Sequence, residues 1–149
     1  MLLNDLLVIT TPFAIGCTQF TIELANMNAN FGRQYYNELI DNNIQMSYGI
    51  YAICDSDNQQ VLYIGKAGTI QNNGTFKNQN LNGRLKAPRG KYNSSYLYFQ
   101  NVMNDNTYDS LILVAIYSNP NTPPAYLESI SMFQFLNQNN CLPTLNNEF

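Results

Sequence analysis

Two tripeptides, Gly49-Ile50-Tyr51 and Tyr63-Ile64-Gly65, bracket eleven residues and constrain the fold more than any other feature of this chain. Residues 48–54 are β-branched and aromatic, which suits a strand, and Asp55-Ser56-Asp57-Asn58 is a cluster of turn formers. Residues 60–64 read as a second strand, so the two tripeptides lie on the arms of one antiparallel hairpin. Gly49 and Gly65 suit close backbone packing and turns.

Downstream, residues 67–80 are polar and read as a long loop, and residues 81–87 as a short helix that Pro88 limits. Residues 92–103 read as an amphipathic helix, and the apolar run 111–117 as a central strand. Prolines 120, 123 and 124 break the chain before a helix over 125–137. Residues 142–146 close it as an extended segment. In residues 1–47, the stretches 20–27 and 33–42 each read as helical. The expected architecture is α+β: a three-stranded antiparallel-type sheet flanked by helices over residues 48–149, with residues 1–47 as an N-terminal extension packed on it.

Charge is distributed unevenly. Net charge is −3, yet six of the seven basic residues (Lys66, Lys77, Arg84, Lys86, Arg89 and Lys91) fall in residues 66–91, where no Asp or Glu occurs. That window is +6 and the remainder −9. A solvated face usually mixes both signs; a basic stretch on an acidic body suits a surface that meets phosphates. Asparagine, at 24 residues, interleaves the window and offers neutral donors to phosphate oxygens. With no histidine and only Cys17, Cys54 and Cys141, no Cys/His zinc site can be built, and reduced, packing cysteines are expected. The apolar stretch 6–16 lacks a preceding positive charge, is broken by Pro12, and falls short of the roughly 20 apolar residues of a membrane span. A cytoplasmic protein without membrane insertion is the expectation.

One acidic residue stands out. Glu128 is the only carboxylate between residues 110 and 147 and sits among Tyr126, Leu127, Ile130 and Met132 at the start of the last helix. A glutamate there suits the helix dipole, or it holds a ligand. Gly49-Ile50-Tyr51, Tyr63-Ile64-Gly65-Lys66, Arg84 within Leu81-Asn82-Gly83-Arg84-Leu85, Glu128, and Asn146 within Leu142-Pro143-Thr144-Leu145-Asn146 follow one another in an order that resembles the GIY-YIG nuclease superfamily, over about two thirds of the chain. The likeness is to a small microbial branch, similar in layout to GIY-YIG restriction endonucleases, with residues 67–80 as an insertion relative to compact members.

The resemblance implies a divalent-metal-dependent endonuclease that hydrolyses DNA phosphodiester bonds. It assigns Glu128 to a single Mg²⁺ or Mn²⁺, and places Tyr51 and Tyr63 near the scissile phosphate, with Tyr51 the favoured residue for activating water. It gives Arg84 the role of clamping a phosphate oxygen, Lys66 that of orienting water or touching phosphate, and Asn146 (Asn147 being an adjacent alternative) that of supporting the site. Lys66, Lys77, Arg84, Lys86, Arg89 and Lys91 form the expected DNA-binding set. A homodimer or a partner protein, residues 67–92, or the N-terminal segment would supply specificity. The alternative is a catalytically silent nucleic-acid-binding module on the same scaffold; an interaction protein whose basic loop meets an acidic partner is a third reading.

Overall fold

The computed structural model describes all 149 residues. Its sheet is built around the two most apolar strands. β2 (Gly49–Asp55) and β6 (Ser110–Ser118) are buried on both faces almost throughout, and they pair antiparallel with Tyr51 opposite Ala115. Strands apolar on both faces need cover on both sides, and helices supply it.

β3 (Val61–Ala67) pairs with β2 as the hairpin predicted from sequence, with Tyr51 opposite Gly65 and an irregularity next to Cys54. On the far side β1 (Ala14–Glu23) pairs with β6, giving a four-stranded antiparallel sheet in the order β1-β6-β2-β3. The three-stranded expectation is thus corrected: residues 14–23 add a strand. The helix expected over 20–27 is divided, with residues 20–23 finishing β1 and only α2 (Leu24–Met27) turning helical. Thr18, Thr21 and Ile22 suit a strand, and β6 supplies a long partner for them.

α3 (Gly32–Asn43), α4 (Leu81–Lys86) and α5 (Ser95–Asp105) cover one face of the sheet. The core there includes Tyr36, Ile40, Tyr51, Leu85 and Phe99. α1 (Leu3–Thr10) and α6 (Pro124–Asn139) cover the other, around Leu6, Ile50, Ile64, Leu127 and Phe135. Residues 1–47 therefore contribute to both cores.

α4 begins where the Asn80 side chain accepts the Gly83 N–H at 2.9 Å, and α6 begins at Pro124 after an extended Pro123. The polar stretch after β3 is not a plain loop: β4 (Thr69–Ile70) and β5 (Phe76–Lys77) form a small second hairpin. Of the cysteines only Cys54 packs in the interior, its thiol pushed up to about 12 by burial; Cys17 and Cys141 are exposed, and all three are free. No helix is long and apolar enough to cross a membrane.

Candidate active site along the edge of the sheet

β3 is an edge strand, and the candidate residues gather around it. The C-terminal segment covers part of the open edge. Leu145 donates its N–H to the Leu62 carbonyl at 2.8 Å. Asn146 then does with its side chain what a neighbouring strand would do with a peptide group: its Oδ1 accepts the Ile64 N–H and its Nδ2 donates to the Ile64 carbonyl, both at 2.9 Å. Three of the edge strand's backbone groups, the Leu62 carbonyl and the Ile64 N–H and carbonyl, are thereby satisfied. Asn146 thus ties the C-terminal segment to β3; exposed Asn147 makes no such contact.

Tyr51 and Tyr63 lie on the face covered by α4 and α5, their rings stacked at 5.6 Å between centroids. Gly65, opposite Tyr51, makes room for them: a Cβ there would come within 2.7 Å of the Tyr51 hydroxyl and of a Tyr63 ring carbon. The two tyrosines differ in access. Tyr51 is fully buried and burial pushes its phenol well above its ordinary value, with Arg89 opposing part of the shift. The lowered pKa that water activation by Tyr51 requires is not what its surroundings produce. Tyr63 is partly exposed and lines an open cleft of about 520 Å³.

Arg89 is the residue whose importance the sequence did not show. It belongs to the basic window that suits phosphate binding, yet it is only 9% exposed. Its Nη2 donates to the Tyr51 hydroxyl at 2.5 Å and its Nε to the Ser95 hydroxyl at 3.1 Å; Ser95 in turn donates to the Ala87 carbonyl. The guanidinium carbon lies 5.1–5.5 Å from the ring centres of Tyr51, Tyr63, Tyr98 and Phe99. Aromatic faces stabilise a cation, but no carboxylate pairs with it. Arg89 also lines the 520 Å³ cleft, beside Arg84, Lys91 and Tyr63.

Lys66 and Glu128 sit on the opposite face, with Lys66 across from Ile50. Lys66 Nζ is 3.5 Å from Glu128 Oε2, and the Glu128 side chain is 16% exposed. Burial raises the Glu128 pKa, while Lys66 and then Arg84 pull it down. Arg84 connects the two faces: from α4 it lines the 520 Å³ cleft and also a smaller one of about 240 Å³ with Lys66, Thr69 and Asn78. The arrangement brings Tyr63, Arg84, Arg89, Lys66 and Glu128 around one sheet edge.

The rest of the basic set divides. Lys91 is exposed at the larger cleft, 5.5 Å from the Tyr92 ring centre. Lys77 is exposed on β5 and lines neither cleft. Lys86 is tied to Asp41 at 2.5 Å, so its charge is neutralised locally. The carboxyl of Asp41 is held below its usual range by that bond and by Asn82.

No three His, Cys, Asp or Glu side chains come together anywhere in the chain, so no cage of such side chains is formed around a cation. One enclosed carboxylate fits the other mode of binding hard cations, in which a single carboxylate, several waters and substrate phosphate complete the shell. The chain matches no known protein family, no curated protein and no solved structure.

Proposed function

We propose that this chain is a metal-dependent endodeoxyribonuclease, a GIY-YIG-like enzyme whose active site runs along the edge of β3. The observation that carries this reading is the 3.5 Å contact between Glu128 and Lys66, which lines the smaller cleft together with Arg84, so that a lone carboxylate neighbours cationic phosphate binders along β3.

The DNA strand lies in the clefts with its phosphates against Arg84, Arg89 and Lys91. Four of the six basic residues of the window (Lys77, Arg84, Arg89 and Lys91) have no carboxylate partner and remain available to a polyanion. Arg84 presents a planar fork to the oxygens of the scissile phosphate and opposes the charge that builds there during attack.

Of the two motif tyrosines, Tyr63 is the one that lines the cleft, with Tyr92 and Tyr98 beside it, and it aligns the attacking water; Tyr51 holds Arg89 in place from beneath. Glu128 is the residue that would hold Mg²⁺ or Mn²⁺, and such an ion supplies charge neutralisation and a more acidic bound water. Lys66, paired with Glu128 at 3.5 Å and lining the smaller cleft, is the residue that would contact phosphate or water beside that carboxylate.

Supercoiled plasmid is the direct test. Nicking in Mg²⁺ or Mn²⁺ that EDTA abolishes is the expected result; salt-sensitive binding without nicking in either metal would instead identify a silent nucleic-acid-binding module.

A further inference from the structure

We infer that the β4–β5 hairpin is a base-reading ribbon that enters the major groove of duplex DNA beside the cleavage site, with Gln71 and Asn72 at its tip and Lys77 on its flank. The inference rests on the nuclease reading for its setting and goes beyond it in naming double-stranded DNA and the element that reads it.

Position comes first. The foot of the hairpin (Gly68, Thr69, Asn78 and Gln79) lines the smaller cleft together with Lys66 and Arg84. A duplex with a phosphate at Arg84 therefore has a groove at the hairpin.

The hairpin is also fixed in place. Phe76 stacks on Tyr48, ring centres 4.8 Å apart and planes within 5°. Gly68, at φ +95°, lies so close to Tyr48 that a Cβ would meet its ring at 2.4 Å. Asn78 donates to Thr69 Oγ1 across the foot, and the tip is closed by the Gln71 N–H to the Thr75 carbonyl at 2.8 Å and by Asn73 Oδ1 accepting from Thr75. A site carried on a rigid element positions its contacts better than one on a free loop.

The chemistry of the outer surface suits bases. Ile70 and the Phe76 it pairs with are half-buried, Phe76 against Tyr48, while Asn72 and Lys77 are exposed and their side chains bond to nothing in the protein. Gln71 uses only its Nε2, on Thr75. An Asn or Gln amide offers a donor and an acceptor side by side, the pattern that matches the major-groove edge of adenine. A two-stranded ribbon fits the roughly 12 Å width of that groove. No acidic residue lies within residues 66–91 to repel the phosphates on either side.

The test is a pool of duplexes randomised around a central segment, selected in two ways: by cleavage in Mn²⁺ and by gel-shift binding. Wild type is compared with the Gln71→Ala, Asn72→Ala double variant, whose changes leave the Tyr48–Phe76 stack intact. Wild type is expected to enrich particular bases at one or more positions, and the variant to lose roughly tenfold or more of that enrichment.

The inference is overturned if wild type enriches nothing, or if the variant enriches the same bases to the same extent. Hairpin-dependent enrichment in binding with no cleavage would keep the reader and remove the nuclease. Cleavage with a preference unchanged in the variant would keep the nuclease and remove the reader.

Discussion

Arg89 donates to the hydroxyl of Tyr51 at 2.5 Å from within the core, and no carboxylate answers its charge. The cation is held by phenols and ring faces and is left with uncommitted N–H groups beside the cleft. Lysine cannot reproduce this: it lacks the planar fork that bonds Tyr51 and Ser95 at once. Arg89→Lys is expected to destabilise the protein by about 1–3 kcal/mol in urea melts, because buried hydroxyls lose their partner. It is also expected to weaken DNA binding. Unchanged stability would contradict the buried network.

Gly65→Ala tests the packing of the two motif strands. A methyl group 2.7 Å from both tyrosines must displace one of them. The expected cost is about 1–3 kcal/mol, typical of overpacking, accompanied by loss of cleavage as Tyr63 moves. Full activity in the variant would mean that the Tyr51–Tyr63 geometry is unimportant.

Glu128 links pH and stability. Its pKa is raised in the folded state, so the ionised carboxylate costs stability at neutral pH, and the cost disappears as pH falls through the raised value toward the ordinary one of 4.5. Glu128→Gln should therefore melt at a higher denaturant concentration than wild type at pH 7, with the gap closing in acid. A gap that widens as pH falls would reverse the sign of the argument.

The basic residues should differ in their contribution to DNA binding. Each phosphate contact steepens the dependence of log affinity on log salt by about 0.9 on duplex DNA. Lys91→Ala should flatten that slope by close to one contact, whereas Lys86→Ala, already neutralised by Asp41, should change it little. Equal effects would show that the Asp41 pair opens on binding.

From residue 48 onward the main strands and helices were readable in order, apart from β4–β5, because the strands are β-branched and apolar and the helix limits carry Pro88 and Pro124. β1 was not, since Phe20, Leu24 and Met27 also fall at helical spacing and the strand exists through its pairing with β6. β4–β5 was hidden because its anchor, Tyr48, lies twenty-eight residues from Phe76. The same limit applied to the basic window. Charge alone does not separate Arg89 from Lys86; the first folds back under aromatic rings and the second meets an aspartate from α3. The Pro88-Arg89-Gly90 setting, followed by Tyr92, Tyr96, Tyr98 and Phe99, was the only local sign of an aromatic cage.

The central claim is that Glu128 serves cleavage and not the affinity for DNA. Single-turnover cleavage of a labelled duplex in Mn²⁺, with the dissociation constant measured on the same duplex, separates the two for wild type and Glu128→Ala. The account predicts that cleavage disappears in Glu128→Ala while the dissociation constant stays within a few-fold of wild type. Cleavage by Glu128→Ala at the wild-type rate would contradict it.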